Sequence, residues 1–124
     1  MTIKFFVTGD VIPAARPRFS GRRCYQPKRN AEYRARVQEA ARAAMAGREP
    51  MTGEICAAVR VYRKYKASAR NFGDVDNFLK AIFDALNGIC YDDDKQIVRC
   101  EIQKCTDREN PRAEITISQN INND

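Results

Sequence analysis

The feature that most constrains the fold is an apolar stripe at helical spacing between Asp74 and Gly88. Six residues repeat at intervals of three and four and form one inward face: Val75, Phe78, Leu79, Ile82, Phe83 and Leu86. Asp74 suits the N-cap position, and Gly88 after Asn87 suits a C-terminal stop. The segment therefore predicts a helix whose apolar face packs into the core.

Alternating apolar and polar residues predict four strands around this helix and a second one. The strand patterns are Ile3, Phe5 and Val7; Ile55, Ala57, Val59 and Val61; Val98, Cys100 and Ile102; and Ala113, Ile115 and Ile117. Apolar residues at helical spacing predict the other helix from about Asn30 to Met45. The order β-α-β-α-β-β indicates an α+β domain with a mixed four-stranded sheet covered by two helices. A length of 124 residues fits one domain, residues 1–124, and the pattern leaves the strand order open.

The absence of histidine from the sequence excludes the usual general base and the Ser-His and Cys-His nucleophile pairs. The five cysteines form no CxxC pair, which argues against a zinc site. Any hydrolysis must therefore use carboxylates, lysine or metal-activated water. We expect neither a membrane partner nor a small-molecule cofactor, and we predict a cytoplasmic protein, because no apolar run approaches the roughly 20 residues that span a bilayer.

The positive charge is concentrated in two stretches that lack acidic residues. The net charge of +6 favours a polyanionic partner, and residues 16–29 and 60–70 hold eleven of the 22 Lys and Arg residues. The first stretch is predicted to be an irregular loop, and the loops at residues 16–29 and 63–70 are predicted to contact DNA phosphates. The candidate DNA-binding residues are Arg16, Arg18, Arg22, Arg23, Lys28, Arg29, Lys64, Lys66 and Arg70. For the neighbouring Phe19, Tyr25 and Phe72, stacking on unpaired bases and packing in the core or a dimer contact both stay open.

The negative charge is concentrated around the predicted helix at residues 74–88. Six of the 16 acidic residues lie between Asp74 and Asp94. Asp74 and Asp76 begin the helix, with Asn77 and Lys80 at the same end, and the turn at residues 92–94 offers a third carboxylate. Carboxylates at close range repel unless a divalent cation such as Mg²⁺ neutralises them. Magnesium can activate water for attack on a phosphate, and Lys80 can neutralise developing charge or protonate the leaving oxygen.

Each of these residues also has a purely structural interpretation. Asp74 can act only as a helix cap, Asp76 and Lys80 can form a solvated pair one turn apart, and residues 92–94 can be an exposed turn. Taken singly, each structural interpretation is favoured. The co-occurrence of acidic clusters at both ends of one apolar helix favours a shared site.

Two motifs extend this pattern. Residues 73–88 read GDVDNFLKAIFDALNG, and residues 91–98 read YDDDKQIV. Together they match the order D-x-D-N-x-x-K, D-A-L-N-G, an aromatic residue, D-D and Q-[IV]-V. This pattern closely resembles the RusA-type Holliday junction resolvases, a family of crossover junction endodeoxyribonucleases. The stretches Pro13–Phe19 and Tyr25–Lys28 also resemble the family, so the resemblance covers nearly the whole chain.

The resemblance implies a homodimer that resolves four-way DNA junctions by paired symmetric nicks in DNA recombination and repair, typically encoded by a phage or prophage. It implies Mg²⁺ as the cofactor, with Mn²⁺ as an alternative ion. By position, the metal-binding catalytic aspartates would be Asp74, Asp76 and Asp94, and Lys80 the catalytic lysine. Asn77 and Asp93 would support the site, and Asp84, one turn beyond Lys80, would orient that lysine.

Two other functions remain open. A non-catalytic protein that binds DNA junctions needs the basic loops but not the aspartates. A metal nuclease that acts on flaps or other branched DNA needs both.

Overall fold

The computed structural model describes residues 1–15 and 27–120, together with the backbone of two short strands at residues 18–20 and 23–25. The elements are β1 (Thr2–Thr8), β2 (Arg18–Ser20), β3 (Arg23–Tyr25), α1 (Lys28–Met45), β4 (Ile55–Arg63), α2 (Val75–Leu86), β5 (Ile97–Thr106) and β6 (Arg112–Gln119). Single 3₁₀ turns at Arg70–Phe72 and Asp94–Gln96 precede α2 and β5 respectively.

The main sheet has the strand order β1-β6-β4-β5. β6 pairs antiparallel with β1 and with β4, whereas β5 runs parallel to β4. The predicted α+β class, the mixed four-stranded sheet, the two helices and their order are confirmed. The basic loop is more regular than predicted, because β2 and β3 form a separate antiparallel hairpin within it.

The core lies between the two helices and one face of the sheet. Every second residue of β4 from Ile55 to Val61 is buried, and α1 buries Tyr33, Val37, Ala41 and Met45. α2 buries Phe78, Ile82, Phe83, Ala85 and Leu86. Val75 belongs to the predicted stripe but is 41% exposed, because it opens the first turn and projects beyond the core. No helix in the described part of the chain is long and apolar enough to cross a membrane.

β5 differs from the other three strands of the sheet in its exposure. One edge of β5 pairs with β4, and the other edge pairs with none of the described strands. Val98 is 51% exposed, and residues 98–101 are exposed without alternation. β5 is therefore an edge strand whose first half is left uncovered by the helices.

Candidate active site

The exposed face of α2 carries four of the predicted site residues, Asp74, Asp76, Asn77 and Lys80. Asp74 occupies the predicted N-cap position, and its backbone carbonyl accepts a hydrogen bond from the Phe78 N–H at 3.3 Å. Its side chain makes no capping hydrogen bond within the described first turn. The Asp74 carboxylate is therefore free to bind something other than its own helix.

Two cations inside the fold fix the turn that leads into Asp74. Arg63 Nη1 donates to the Phe72 carbonyl at 2.6 Å, and Lys104 Nζ donates to the Gly73 carbonyl at 3.0 Å. Gly73 has a φ of 104°, and a Cβ there would lie 2.8 Å from the Phe78 ring. A residue with a side chain would therefore clash and strain the backbone immediately before Asp74.

Arg63 corrects the prediction that the whole stretch from residue 63 to residue 70 contacts DNA. Its guanidinium forms a bidentate pair with Asp10 at 3.0 and 3.1 Å, and its side chain is only 9% exposed. The sequence did contain a signal for this, because Arg63 continues the inward alternation of Ile55, Ala57, Val59 and Val61. Arg63 supports the site from within the fold.

The turn that carries Asp94 is held by a capping box. Asp93 Oδ1 accepts from the Lys95 N–H at 3.3 Å, and Gln96 Oε1 accepts from the N–H groups of Asp92 and Asp93 at 2.9 and 3.1 Å. Gln96 Nε2 also donates to the carbonyls of Met51 and Gly53, both at 3.0 Å. Asp93 therefore has a structural role as a cap.

Asp94 neighbours Asp93 in a turn that packs against α2, and it feels the charges of Asp84 and Lys80 on that helix. A hydrogen bond between the two neighbouring carboxyl groups raises the pKa of Asp94 and lowers that of Asp93. Partial burial and the charges of Asp93 and Asp84 raise the Asp94 pKa further, whereas Lys80 opposes this rise. Lys80 Nζ lies 3.6 Å from Asp84 Oδ2, so the two side chains form an exposed ion pair one helical turn apart.

The predicted residues are thus spread along α2 with Lys80 in the middle. Asp76, Lys80 and Asp84 follow one another at intervals of four residues, so Asp76 and Asp84 are about 12 Å apart along the helix axis. Within the described residues, no group of three or more His, Cys, Asp or Glu side chains is close enough to hold a metal ion. The convergence of Asp74, Asp76 and Asp94 on one ion stays a prediction.

A shallow cavity of about 200 Å³ joins this site to the first basic loop. It is lined by Ala14, Ala15, Asn30, Arg34, Lys80, Ala81 and Asp84. The Ala14 N–H donates to the Asn77 carbonyl at 2.9 Å, and Asn30 Nδ2 donates to the Pro13 carbonyl at 2.9 Å. Both ends of the loop at residues 16–29 are therefore anchored beside Lys80.

The candidate DNA-binding residues fall into two groups. Lys28, Arg29, Lys64, Lys66 and Arg70 have exposed side chains. The side chains of Arg16, Arg18, Arg22, Arg23, Phe19 and Tyr25 lie outside the described residues.

Phe72 does not stack on bases in this structure. It is fully buried and packs edge to face with Phe78 at a centroid distance of 5.9 Å. Of the two interpretations left open for this residue, core packing is the one that the structure supports.

Comparison with known proteins places the chain in a class that agrees with this arrangement. The family model described as "Endodeoxyribonuclease RusA" matches residues 8–118. The chain belongs to the RusA endodeoxyribonuclease family, which supports Holliday junction resolution by a nuclease as its general activity.

One relative is similar over most of its length. The chain is 32% identical to "Uncharacterized protein YqaN" of Bacillus subtilis (strain 168), and the alignment covers 94% of this chain and 96% of that protein. The name of this relative states no activity, so the comparison shows similarity in sequence alone.

Proposed function

We propose that this protein is a Mg²⁺-dependent endonuclease that resolves Holliday junctions in DNA recombination and repair. It would act as a homodimer that makes two symmetric nicks, with branched DNA as its substrate. Mn²⁺ would substitute for Mg²⁺.

The observation that carries this proposal is the position of Lys80. It is an exposed cation midway along an acidic helix face, 3.6 Å from Asp84, on the helix against which the Asp94 turn packs. Both ends of a basic loop border the same cavity. One helix thus carries carboxylates that could bind a cation and a lysine that could contact a phosphate, and the cavity beside them is bordered by the basic loop.

The donor set fits magnesium. Every acidic side chain along this face is an aspartate, and carboxylate oxygens are the hard ligands that Mg²⁺ prefers. Mg²⁺ usually keeps several waters and binds through one or two carboxylates together with substrate phosphates, so a preformed cage of three carboxylates is not needed. We propose Asp74, Asp76 and Asp94 as the residues that would hold it. When bound, Mg²⁺ would supply an activated water and stabilise charge on the phosphate.

The protein's own side chains would do the rest. Lys80 Nζ would neutralise the charge that develops on the phosphate or protonate the leaving oxygen, and Asp84 would keep the ammonium group in place. Asn77 and Asp93 would support the site. The exposed cations Lys28, Arg29, Lys64, Lys66 and Arg70, together with Arg16, Arg18, Arg22 and Arg23, would bind phosphates and position the junction.

The dimer follows from the symmetry of the substrate. Resolution needs two nicks related by the two-fold axis of the junction, and each chain has one candidate site. A C2 dimer with two equivalent sites is the simplest assembly that cuts both strands.

Cleavage of a synthetic four-way junction tests the proposal, with and without Mg²⁺. We expect Asp76→Asn and Lys80→Ala each to lower the cleavage rate by roughly a hundredfold or more, because each removes a group that acts at the reacting phosphate. Binding of the intact junction should change far less. Lys4→Ala is the matched control, since it removes an exposed cation from β1 on the other side of the sheet.

Two results would contradict the proposed junction-resolving activity and support one of the two alternative functions. A parent protein that binds the junction tightly but leaves it whole in Mg²⁺ is a non-catalytic binding protein. A parent that cuts flaps faster than four-way junctions is a nuclease for other branched DNA.

A further inference from the structure

Arg34 on α1 is an exposed cation that lies outside the two basic stretches of the sequence. Its Nη2 donates to the Asp84 backbone carbonyl, near the C-terminal end of α2, at 3.4 Å. This distance is long for a hydrogen bond, and the contact uses only one of the five N–H donors of the guanidinium. Within the described residues, Arg34 forms no ion pair. Its charge and most of its donors are therefore available to a ligand.

Arg34 and Lys80 border the same cavity of about 200 Å³ from two different helices. These two cations and one carboxylate, Asp84, line the cavity, so its net charge is positive. Three of the other lining residues are alanines, which leave room for a group the size of a phosphate. The wall also contains Asn30, whose Oδ1 is buried and whose Nδ2 bonds the Pro13 carbonyl, so this side chain does not oppose an anion at the opening. The cavity therefore suits an anionic ligand.

Arg34 contacts α2 on the side of Lys80 that is away from the start of the helix. Lys80 is four residues from both Asp76 and Asp84, which corresponds to about 6 Å along the helix axis in each direction. The carboxylates proposed to hold the metal are at or near the start of α2, whereas Arg34 bonds the carbonyl of Asp84. Lys80 thus lies between these carboxylates and Arg34 along the helix.

We propose that Arg34 binds the phosphate next to the reacting phosphate on the same DNA strand, at the opening of this cavity. A planar guanidinium can donate two parallel N–H bonds to one phosphate, and such charge-assisted bonds are stronger than a bond to a backbone carbonyl. The contact with the Asp84 carbonyl holds the guanidinium beside the cavity before DNA binds. With one phosphate held by Arg34, the next phosphate along the strand would lie at Lys80.

This inference rests on the proposed function, and binding to DNA with single neutral phosphates tests it. Synthetic four-way junctions carry one methylphosphonate at successive positions through the crossover, and affinity is measured without divalent metal. Arg34→Ala should bind the unmodified junction roughly tenfold more weakly than the parent, because a hydrogen-bonded charge contact is lost. At one position, the methylphosphonate should weaken the parent by a similar factor and leave Arg34→Ala unchanged, because the two changes remove the same contact.

Two further variants separate a specific contact from a general loss of charge. Arg42→Ala is the matched control, since Arg42 is exposed on the same helix, about 12 Å farther along its axis, and does not border the cavity. It should keep the parent's affinity to within about threefold and respond to each methylphosphonate as the parent does. Arg34→Lys keeps the charge but loses the paired donors, so its affinity should lie between those of the parent and Arg34→Ala. Circular dichroism checks that all variants are folded.

The outcomes distinguish this inference from the nuclease proposal. If every methylphosphonate weakened the parent and Arg34→Ala equally, or if Arg34→Ala bound the unmodified junction as tightly as the parent, the Arg34 contact would be overturned whether or not the protein cuts DNA. Mapping the nick that the parent makes in Mg²⁺ should place it at the phosphate next to the sensitive position, and a more distant nick would overturn that placement. A parent that leaves the junction whole would contradict the nuclease, while the sensitive position would still support binding of a phosphate by Arg34.

Discussion

At the scale of single residues, neighbouring cations have different roles that depend on which way they point. Arg63 is buried and Lys64 is exposed, although the two are adjacent in one basic stretch. Arg63 joins the end of β4 to Asp10 after β1 and to Phe72 before α2. Its contacts therefore connect three segments that meet near the start of α2.

We expect Arg63→Ala to lower the free energy of unfolding by about 2–4 kcal/mol, because it leaves the buried Phe72 carbonyl without its donor and Asp10 without its cation. Arg60→Ala, an exposed position on the same strand, should change it by less than about 0.5 kcal/mol. Urea denaturation measures both. Equal effects of the two substitutions would show that the Arg63 contacts do not stabilise the fold.

At the scale of elements, the Asp94 turn depends on one side chain. Gln96 makes four hydrogen bonds, two that close the turn and two that tie it to residues 51 and 53. The turn is thereby fixed to the segment before β4 as well as to its own backbone. Asp94 is therefore held in a turn that packs against α2.

We predict that Gln96→Ala lowers kcat for junction cleavage by about tenfold and stability by about 1–2 kcal/mol, because the turn loses its anchors while the basic loops remain. Junction binding should be nearly unchanged. Gln119→Ala is the control, since that glutamine bonds the Thr52 carbonyl and leaves the Asp94 turn intact. A fall in binding that matches the fall in kcat would argue against a role in positioning Asp94.

At the scale of the whole molecule, the segregation of charge predicts a steep response to salt. DNA affinity should fall linearly on a log-log plot as salt rises, because bound cations displace counterions from phosphates. Lys66→Ala and Arg70→Ala should each reduce the slope by about 1, whereas Lys4→Ala should leave it unchanged. Filter binding or fluorescence anisotropy at several salt concentrations measures this. A flat response in the parent would exclude the basic loops as the contact surface.

We also predict that the protein loses stability at alkaline pH, because a buried thiol and two buried phenols must stay protonated in the folded chain. Burial raises the pKa of the Cys90 thiol from its ordinary value of 9 to about 11, and burial likewise raises the pKa of Tyr33 and Tyr91. The unfolded chain then releases protons that the folded chain retains, so stability is complete below pH 9 and falls as the pH rises through about 11. Cys90 should account for on the order of 2–3 kcal/mol of this fall, since its pKa rises from 9.0 to about 11.

The comparison that isolates Cys90 uses the slope of stability against pH. We expect Cys90→Ala to have a shallower slope than the parent between pH 9 and 11, whatever its stability at pH 7. Denaturant midpoints across this range give both slopes. If the plots of unfolding free energy against pH were parallel for the parent and Cys90→Ala, the loss of stability at alkaline pH would come from groups other than Cys90.

The two helices, the four strands of the main sheet and the segregation of charge follow from the sequence by itself. The spacing of Phe78, Ile82 and Leu86 and the alternation in β4 depend on the 3.6-residue and two-residue periods of the backbone, which operate within one segment. The order of acidic and basic stretches likewise belongs to the chain itself. These local patterns were sufficient for the α+β class and the two helices, and the family resemblance supplied the list of candidate site residues.

Only the tertiary structure decided which of these residues meet. It packed the Asp94 turn against α2, buried Phe72 and Arg63, and left β5 at the edge of the sheet. Strand order and the packing of a turn against a helix depend on contacts between segments that are distant along the chain. The spacing of apolar residues within one segment does not predict those contacts. The hydrogen bond from Lys104 to the Gly73 carbonyl, which helps to fix the start of α2, joins two such distant segments, so the sequence pattern did not predict it.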